Sequence, residues 1–125
     1  MKLSTLSGVI LFAILFPLMS VHAADIKAGE NVFRKCMACH VVTKEQHRTG
    51  PHLDGLFGRA AGTADGYKRY SRAIKASGII WDAISLDAYL AAPKKYIKGT
   101  RMAFAGLKKK ADRDNVIAYL QQFSQ

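Results

Sequence analysis

The only two cysteines of the chain, Cys36 and Cys39, lie three residues apart and are followed at once by His40. That spacing restricts how the chain is held together. A disulfide between residues so close staples very little, because its stabilising effect grows with the loop it closes. The count also excludes a disulfide-rich scaffold and a four-cysteine iron–sulfur cluster. The chain must therefore rely on an apolar core, on a group bound at this motif, or on both. With 125 residues, half of them hydrophobic, it has the length of one small domain and enough apolar content to argue against disorder. A multidomain enzyme is excluded.

The first 23 residues read as a leader rather than as part of the fold. Met1-Lys2 gives a short positive start, and Leu6 to Met19 is an apolar run broken by Ser7, Gly8 and Pro17. Val21-His22-Ala23 then places small residues where a signal peptidase cuts, so cleavage is expected after Ala23. A membrane anchor would need about 20 apolar residues, and this run is shorter. The expected organisation is a cleavable secretory signal peptide over 1–23 and one domain over 24–125. That domain is expected to be soluble and exported to the periplasm. A core of this size is modest, and a bound cofactor would add apolar contact.

Within the domain the pattern predicts helices joined by long loops. A helix is expected from Asp25, its cap, to Met37, with Ile26, Gly29, Val32 and Phe33 at helical spacing. Residues 41–66 are rich in Gly with no sustained period and read as loop. Short helices are expected over 71–77 and, from Ser85 as N-cap to Ala92, ahead of Pro93. The last helix is expected over 112–123, with Val116, Tyr119, Leu120 and Phe123 on one face and Asp112 and Asp114 in its first turn. No strand pattern or repeat is visible. The fold class is all-α, and loops this long need something to pack against.

The chemistry points to Cys36-Met37-Ala38-Cys39-His40. Cys-x-x-Cys-His is the attachment pattern of a c-type haem: two thiols three apart reach two vinyl groups, and the adjacent imidazole binds iron. A thioredoxin-like pair expects a βαβ context, and no strand precedes this motif. A zinc site would have to recruit His47 or His52 at spacings that match no standard finger. A plain disulfide remains the bland alternative. For a second axial ligand, the domain has only Met37 and Met102. Met37 is trapped inside the motif, so Met102 is the candidate thioether, with a gap-filling core Met as its ordinary role. His47 and His52 are rivals whose plainer role is bonding a backbone carbonyl.

Motifs in order along the whole domain make the chain resemble the class I soluble c-type cytochromes, especially bacterial members close to mitochondrial cytochrome c. Gly29 and Phe33 match the first helix, Cys36 to His40 the attachment site, and Gly50-Pro51-His52-Leu53-Asp54-Gly55-Leu56-Phe57-Gly58-Arg59 the following loop. Gly78-Ile79-Ile80-Trp81 and Tyr89-Leu90-Ala91-Ala92-Pro93-Lys94-Lys95-Tyr96-Ile97 match the middle. Gly99 to Gly106 matches the axial Met loop, and Val116-Ile117-Ala118-Tyr119-Leu120 the last helix. The resemblance implies a small cytochrome c fold, with crossed terminal helices and long loops wrapped around one haem c bound covalently through Cys36 and Cys39. It implies His40 and Met102 as iron ligands and Pro51 as the carbonyl that accepts from the His40 ring. Arg59, Tyr70 and Trp81 would hold the haem propionate, Thr100 would be a further donor there, Tyr89 would lie near the Met sulfur, and His47 would tie two loops together. Three positions depart from the family's habit: Lys98 where Pro is common, Ala92 where Asn is frequent, and Ile74 where mitochondrial relatives carry Asn.

The resemblance makes the expected function one-electron transfer, with no enzyme activity. The alternative is a haem enzyme or ligand sensor with an open iron, peroxidase-like, which a Met ligand argues against. Basic residues outnumber acidic ones 19 to 9, a formal net charge of +10. Lys35, Arg48, Lys94, Lys95, Arg101 and Lys108 to Lys110 match positions around the haem edge. They would steer docking to acidic patches on redox partners: a cytochrome bc complex, a terminal oxidase, a reaction centre or a periplasmic dehydrogenase. No nucleic acid is expected, since no recognition motif is present. Contact with anionic membrane is at most peripheral, and the expected state is a monomer.

Overall fold

The computed structural model describes residues 23–124, so the expected leader falls, except for Ala23, outside the described residues. Among the described residues no helix is long and apolar enough to cross a membrane. The elements are α1 (Ile26–Phe33), α2 (Arg72–Lys75), α3 (Ala83–Ala91), α4 (Pro93–Tyr96) and α5 (Lys110–Gln121). Long loops join them, and the extended backbone among the described residues amounts to one antiparallel bridge between Ala60 and Ile80.

α1 begins where the sequence places it, with the Asp25 carboxylate accepting from the Ala28 N–H. It ends at Phe33, four residues before the expected Met37. The chain then tightens into turns: Cys36 N–H donates to Phe33 O at 2.7 Å, and Cys39 and His40 N–H both donate to Cys36 O. The attachment motif therefore sits on a turn, with both thiols and the imidazole displayed within one short arc.

α1 crosses α5, the most extensive helix pairing in the molecule. Gly29 permits it, since any Cβ there would collide with the Asn115 carbonyl and the Tyr119 side chain. Asp25 N–H also donates to Asn115 Oδ1 at 2.8 Å, tying the start of α1 to α5. Phe33, Val116, Ile117 and Leu120 are buried at and around the crossing.

Two helix starts differ from expectation. The N-cap of α3 is Asp82, not Ser85; Ser85 is the third helical residue of a reciprocal capping box, and its hydroxyl accepts from Asp82 N–H. The acceptor three residues upstream competes better because it reaches the free N–H at the helix start. α5 begins at Lys110, two residues early, which moves Asp114 out of the first turn into an i,i+4 ion pair with Lys110. α4, hidden in the sequence by its brevity, begins at Pro93 with no side-chain cap, because Ala92 has no acceptor to offer.

Candidate functional site

The loops enclose a largely apolar cavity of about 280 Å³, its walls including Leu53, Leu56, Ile74, Leu86, Leu90 and Phe104. Nine of the ten residues singled out from sequence lie on its wall: Cys36, Cys39, His40, Pro51, Tyr70, Trp81, Tyr89, Thr100 and Met102. Arg59 does not. Its guanidinium donates to Asp54 O at 3.0 Å and His52 O at 2.9 Å, bracing the loop behind the wall. Its main chain contributes more directly, since Trp81 N–H donates to Arg59 O at 3.0 Å.

On one side the motif turn supplies two free thiols and an oriented imidazole. His40 Nδ1 lies 2.7 Å from Pro51 O, so it carries the proton and donates, leaving Nε2 as the basic nitrogen. Burial lowers the His40 pKa below the ordinary imidazole value, partly opposed by the Pro51 bond, which keeps the ring neutral and its lone pair available. Burial pushes the Cys36 thiol up to about 11, despite the nearby Lys35 ammonium. A redox-active Cys-x-x-Cys pair has the reverse perturbation, a depressed thiol pKa, so the environment disfavours the thioredoxin-like alternative. Gly50 sits directly against the imidazole: a Cβ there would lie 2.5 Å from His40 Cε1.

On the other side Met102 sits in an irregular loop. Tyr89 Oη lies 3.8 Å from its sulfur and 2.9 Å from Thr100 Oγ1, and Thr100 Oγ1 accepts from Met102 N–H at 3.3 Å. Thr100 thus serves the Met102 loop. The Trp81 and Tyr89 rings pack at 5.2 Å, and burial raises the Tyr89 pKa, keeping the phenol protonated. Tyr70 accepts from Ala64 N–H through its hydroxyl, and burial raises its pKa too.

His47 spans two loops: its Nδ1 accepts from His52 N–H, and its Nε2–H donates to Asp65 O at 2.6 Å. Both nitrogens are occupied, which removes it as a metal ligand. His52 is buried and stacks on His47, with ring centroids 5.1 Å apart.

Sequence reasoning missed the residues that hold the Met102 loop from behind. Arg113 donates to Asp87 Oδ1 at 2.7 Å and to the carbonyls of Leu107 and Lys108, joining α3, α5 and the end of that loop. An acidic residue on one helix and a basic one on another carry no local sign of pairing. The Leu107 wall was missed for a similar reason: it lies in a segment too irregular for periodicity to show which way it faces.

This cavity suits a flat apolar macrocycle. It offers two unpaired thiols, one neutral imidazole with a free nitrogen, one thioether and an apolar wall, and the phenols of buried Tyr89 and half-buried Tyr70 supply hydroxyls for a polar edge. Comparison with known proteins agrees. The family model described as Cytochrome c matches residues 26–124. Cytochrome c of Guizotia abyssinica is 52% identical over 101 residues, covering 79% of this chain and 90% of that protein. Cytochrome c2 of Rhodoblastus acidophilus is 47% identical over 102 residues, covering 81% and 94%. The solved structure of cytochrome cH from Methylobacterium extorquens superimposes with a TM-score of 0.75 at 44% identity, covering 79% of this chain and 99% of that one.

Proposed function

The chain belongs to the cytochrome c family, and on that premise we propose that His40 and Met102 are the axial ligands of its iron. It is a one-electron carrier with a covalently attached c-type haem. The observation that carries the ligand reading is the cavity wall itself, on which Cys36, Cys39, His40 and Met102 meet. When bound, the haem supplies the one-electron ferric/ferrous couple.

The chain's own residues do the rest. Cys36 and Cys39 hold the macrocycle through thioethers. Pro51 fixes the His40 ring and raises the basicity of Nε2 by accepting from Nδ1. Met102 would be the second ligand, a choice that would raise the reduction potential and leave no open site for peroxide. Leu53, Leu56, Leu86 and Phe104, on the cavity wall, would exclude water from the bound group. Tyr70 and Trp81 provide donors for an ionised propionate, which must be paired in an apolar setting. Arg59 supports them through its main-chain bond to Trp81. The carrier acts without substrate turnover, as a soluble periplasmic monomer whose leader ends at Ala23.

Docking uses the basic surface. Lys35, Arg69 and Arg101 line the cavity, and Lys94, Lys95, Lys108 and Lys109 are exposed. Lys110 is withdrawn from this set by Asp87 and Asp114. The partner is an acidic patch on a membrane or periplasmic redox protein. Visible spectra of the exported holoprotein, with and without carbon monoxide, test the ligand reading. Covalent c-type bands, a weak far-red sulfur-to-iron band and no response to carbon monoxide are expected, whereas a shift with carbon monoxide would mean an open iron. Oxidation by the partner should slow as salt rises; a flat response defeats charge-steered docking.

A further inference from the structure

We propose that the depression between α2 and the Met102 loop binds a compact multivalent phosphate anion of the diphosphate type. The depression, of about 420 Å³, is lined by Tyr70, Arg72, Lys75, Ala76 and Arg101. Arg72 and Lys75 stand three apart on α2 and share a face. Arg101 reaches it from a different element, the loop that carries Met102. Three cations from two elements therefore converge on one concavity. None has an acidic side-chain partner among the described residues: every ion pair there is made by Lys110 or Arg113 with Asp87 or Asp114.

Gathering like charges costs folding energy unless an anion relieves it. The two guanidinium groups match phosphate oxygens bidentately, and the ammonium adds a point charge. The floor is firm, because Gly62 abuts the Lys75 backbone and Gly99 abuts Ala73, wedging α2 between two loops. A diphosphate offers more charged oxygens than a single phosphate, enough for each of the three cations to take its own. A lipid headgroup presents the same oxygens, but a planar lipid layer meets a recess poorly.

The site is coupled to electron transfer by position. Tyr70 and Arg101 line both this depression and the haem cavity. Negative charge there favours the ferric state, so the anion binds the oxidised protein more tightly and lowers the reduction potential. Reciprocity fixes the size: a threefold preference corresponds to about 28 mV, from 59 mV per decade for one electron.

The test is calorimetric titration of the ferric holoprotein with sodium pyrophosphate at low ionic strength. It reads binding whichever groups ligate the iron. One saturable site is expected, with Arg72→Gln, Lys75→Gln and Arg101→Gln each weakening it about tenfold, since each removes a charge-assisted contact. Lys27→Gln on the exposed face of α1 should change it less than about twofold through screened charge alone. Equal weakening in all four variants, or no saturation, overturns the site. Binding to phosphatidylglycerol vesicles that needs the same three residues, with no pyrophosphate isotherm, overturns the free anion in favour of a headgroup. A potential that falls with pyrophosphate in the wild type but not in Arg72→Gln supports the coupling; intact binding with an unmoved potential overturns it.

Discussion

On the Cys36–Pro51 side of the cavity, the proposed iron ligand His40 is locked by short bonds. His40 donates to Pro51 at 2.7 Å, Gly50 N–H donates to Cys39 O at 2.8 Å, and Leu53 N–H donates to Val41 O at 2.8 Å. On the Met102 side, no backbone–backbone hydrogen bond among the described residues ends on residues 101–106. That loop is pinned at its ends, by Thr100 N–H on Ile97 O and by Leu107 N–H on Leu90 O, with Arg113 gripping the carbonyls of Leu107 and Lys108. Between the pins, Met102 rests on a 3.8 Å contact to Tyr89 and a 3.3 Å bond to Thr100. A ligand carried on a bonded turn next to two covalent attachment points has little freedom. A ligand carried on a segment fixed only at its ends can be displaced without unfolding the rest. The contrast sets a firmly held His40 against a movable Met102, the two proposed ligands.

The strongest way to break this contrast is to push on the locked side. Gly50→Ala places a methyl 2.5 Å from His40 Cε1 and 3.0 Å from Cys39 O. Neither neighbour can retreat without losing the Pro51 bond, so a cost of about 3 kcal/mol is expected, at the upper end of ordinary overpacking. Urea unfolding of the holoprotein measures it. A loss below about 1 kcal/mol, the size of one hydrogen bond, would mean that the His40 turn yields as readily as the Met102 loop.

Met102→Ala acts on the adjustable side. The side chain is only partly buried, so the stability loss is expected near the lower end for such truncations, about 2 kcal/mol. The functional effect is larger: the reduced protein should bind carbon monoxide and its potential should fall. Unchanged carbon monoxide behaviour would remove Met102 as a ligand. Tyr89→Phe is gentler, deleting one hydroxyl that meets both Thr100 and the sulfur. About 1 kcal/mol of stability is expected to go, together with faster displacement of Met102 by imidazole in stopped flow. An unchanged displacement rate would show that the end pins alone hold the loop.

How much of this was legible in sequence depends on whether the determinant was local. The Asp25 cap, the Cys36–His40 motif, the stop at Pro93 and the apolar face of α5 are all written within a few residues. They place the terminal helices and one wall of the site. The early end of α1 at Phe33 was not legible, because Arg34 and Lys35 are good helix formers and only the turn bonds to Phe33 and Cys36 divert the chain. Ser85 was mistaken for the cap of α3 because Asp82 is equally good chemistry three residues earlier. The bracing role of Arg59, the Arg113–Asp87 clamp and the placing of Thr100 beside Tyr89 needed coordinates, since each joins residues whose neighbourhood is set by tertiary folding.

The smallest effect tests the locked side through its surroundings. His52 follows Pro51, is buried, and has no hydrogen-bond partner for Nδ1 among the described residues. Burial lowers its pKa below the ordinary imidazole value, assisted by the Arg59 guanidinium and by His47, while Glu45 and Asp54 oppose the shift. The folded state therefore resists a proton that the unfolded chain accepts at about pH 6.5. Stability is fully present above that value, falls as pH drops below it, and levels off once the folded pKa is passed. Because His52 carries the loop that presents Pro51 to His40, mild acid should loosen the locked side while leaving the Met102 loop, which has no titrating group of this kind, largely as it was. Thermal unfolding of the holoprotein between pH 7 and pH 5 should show a steeper decline for the wild type than for His52→Asn. Parallel curves would place the proton uptake elsewhere, and the firmness of the His40 side would then owe nothing to a neutral His52.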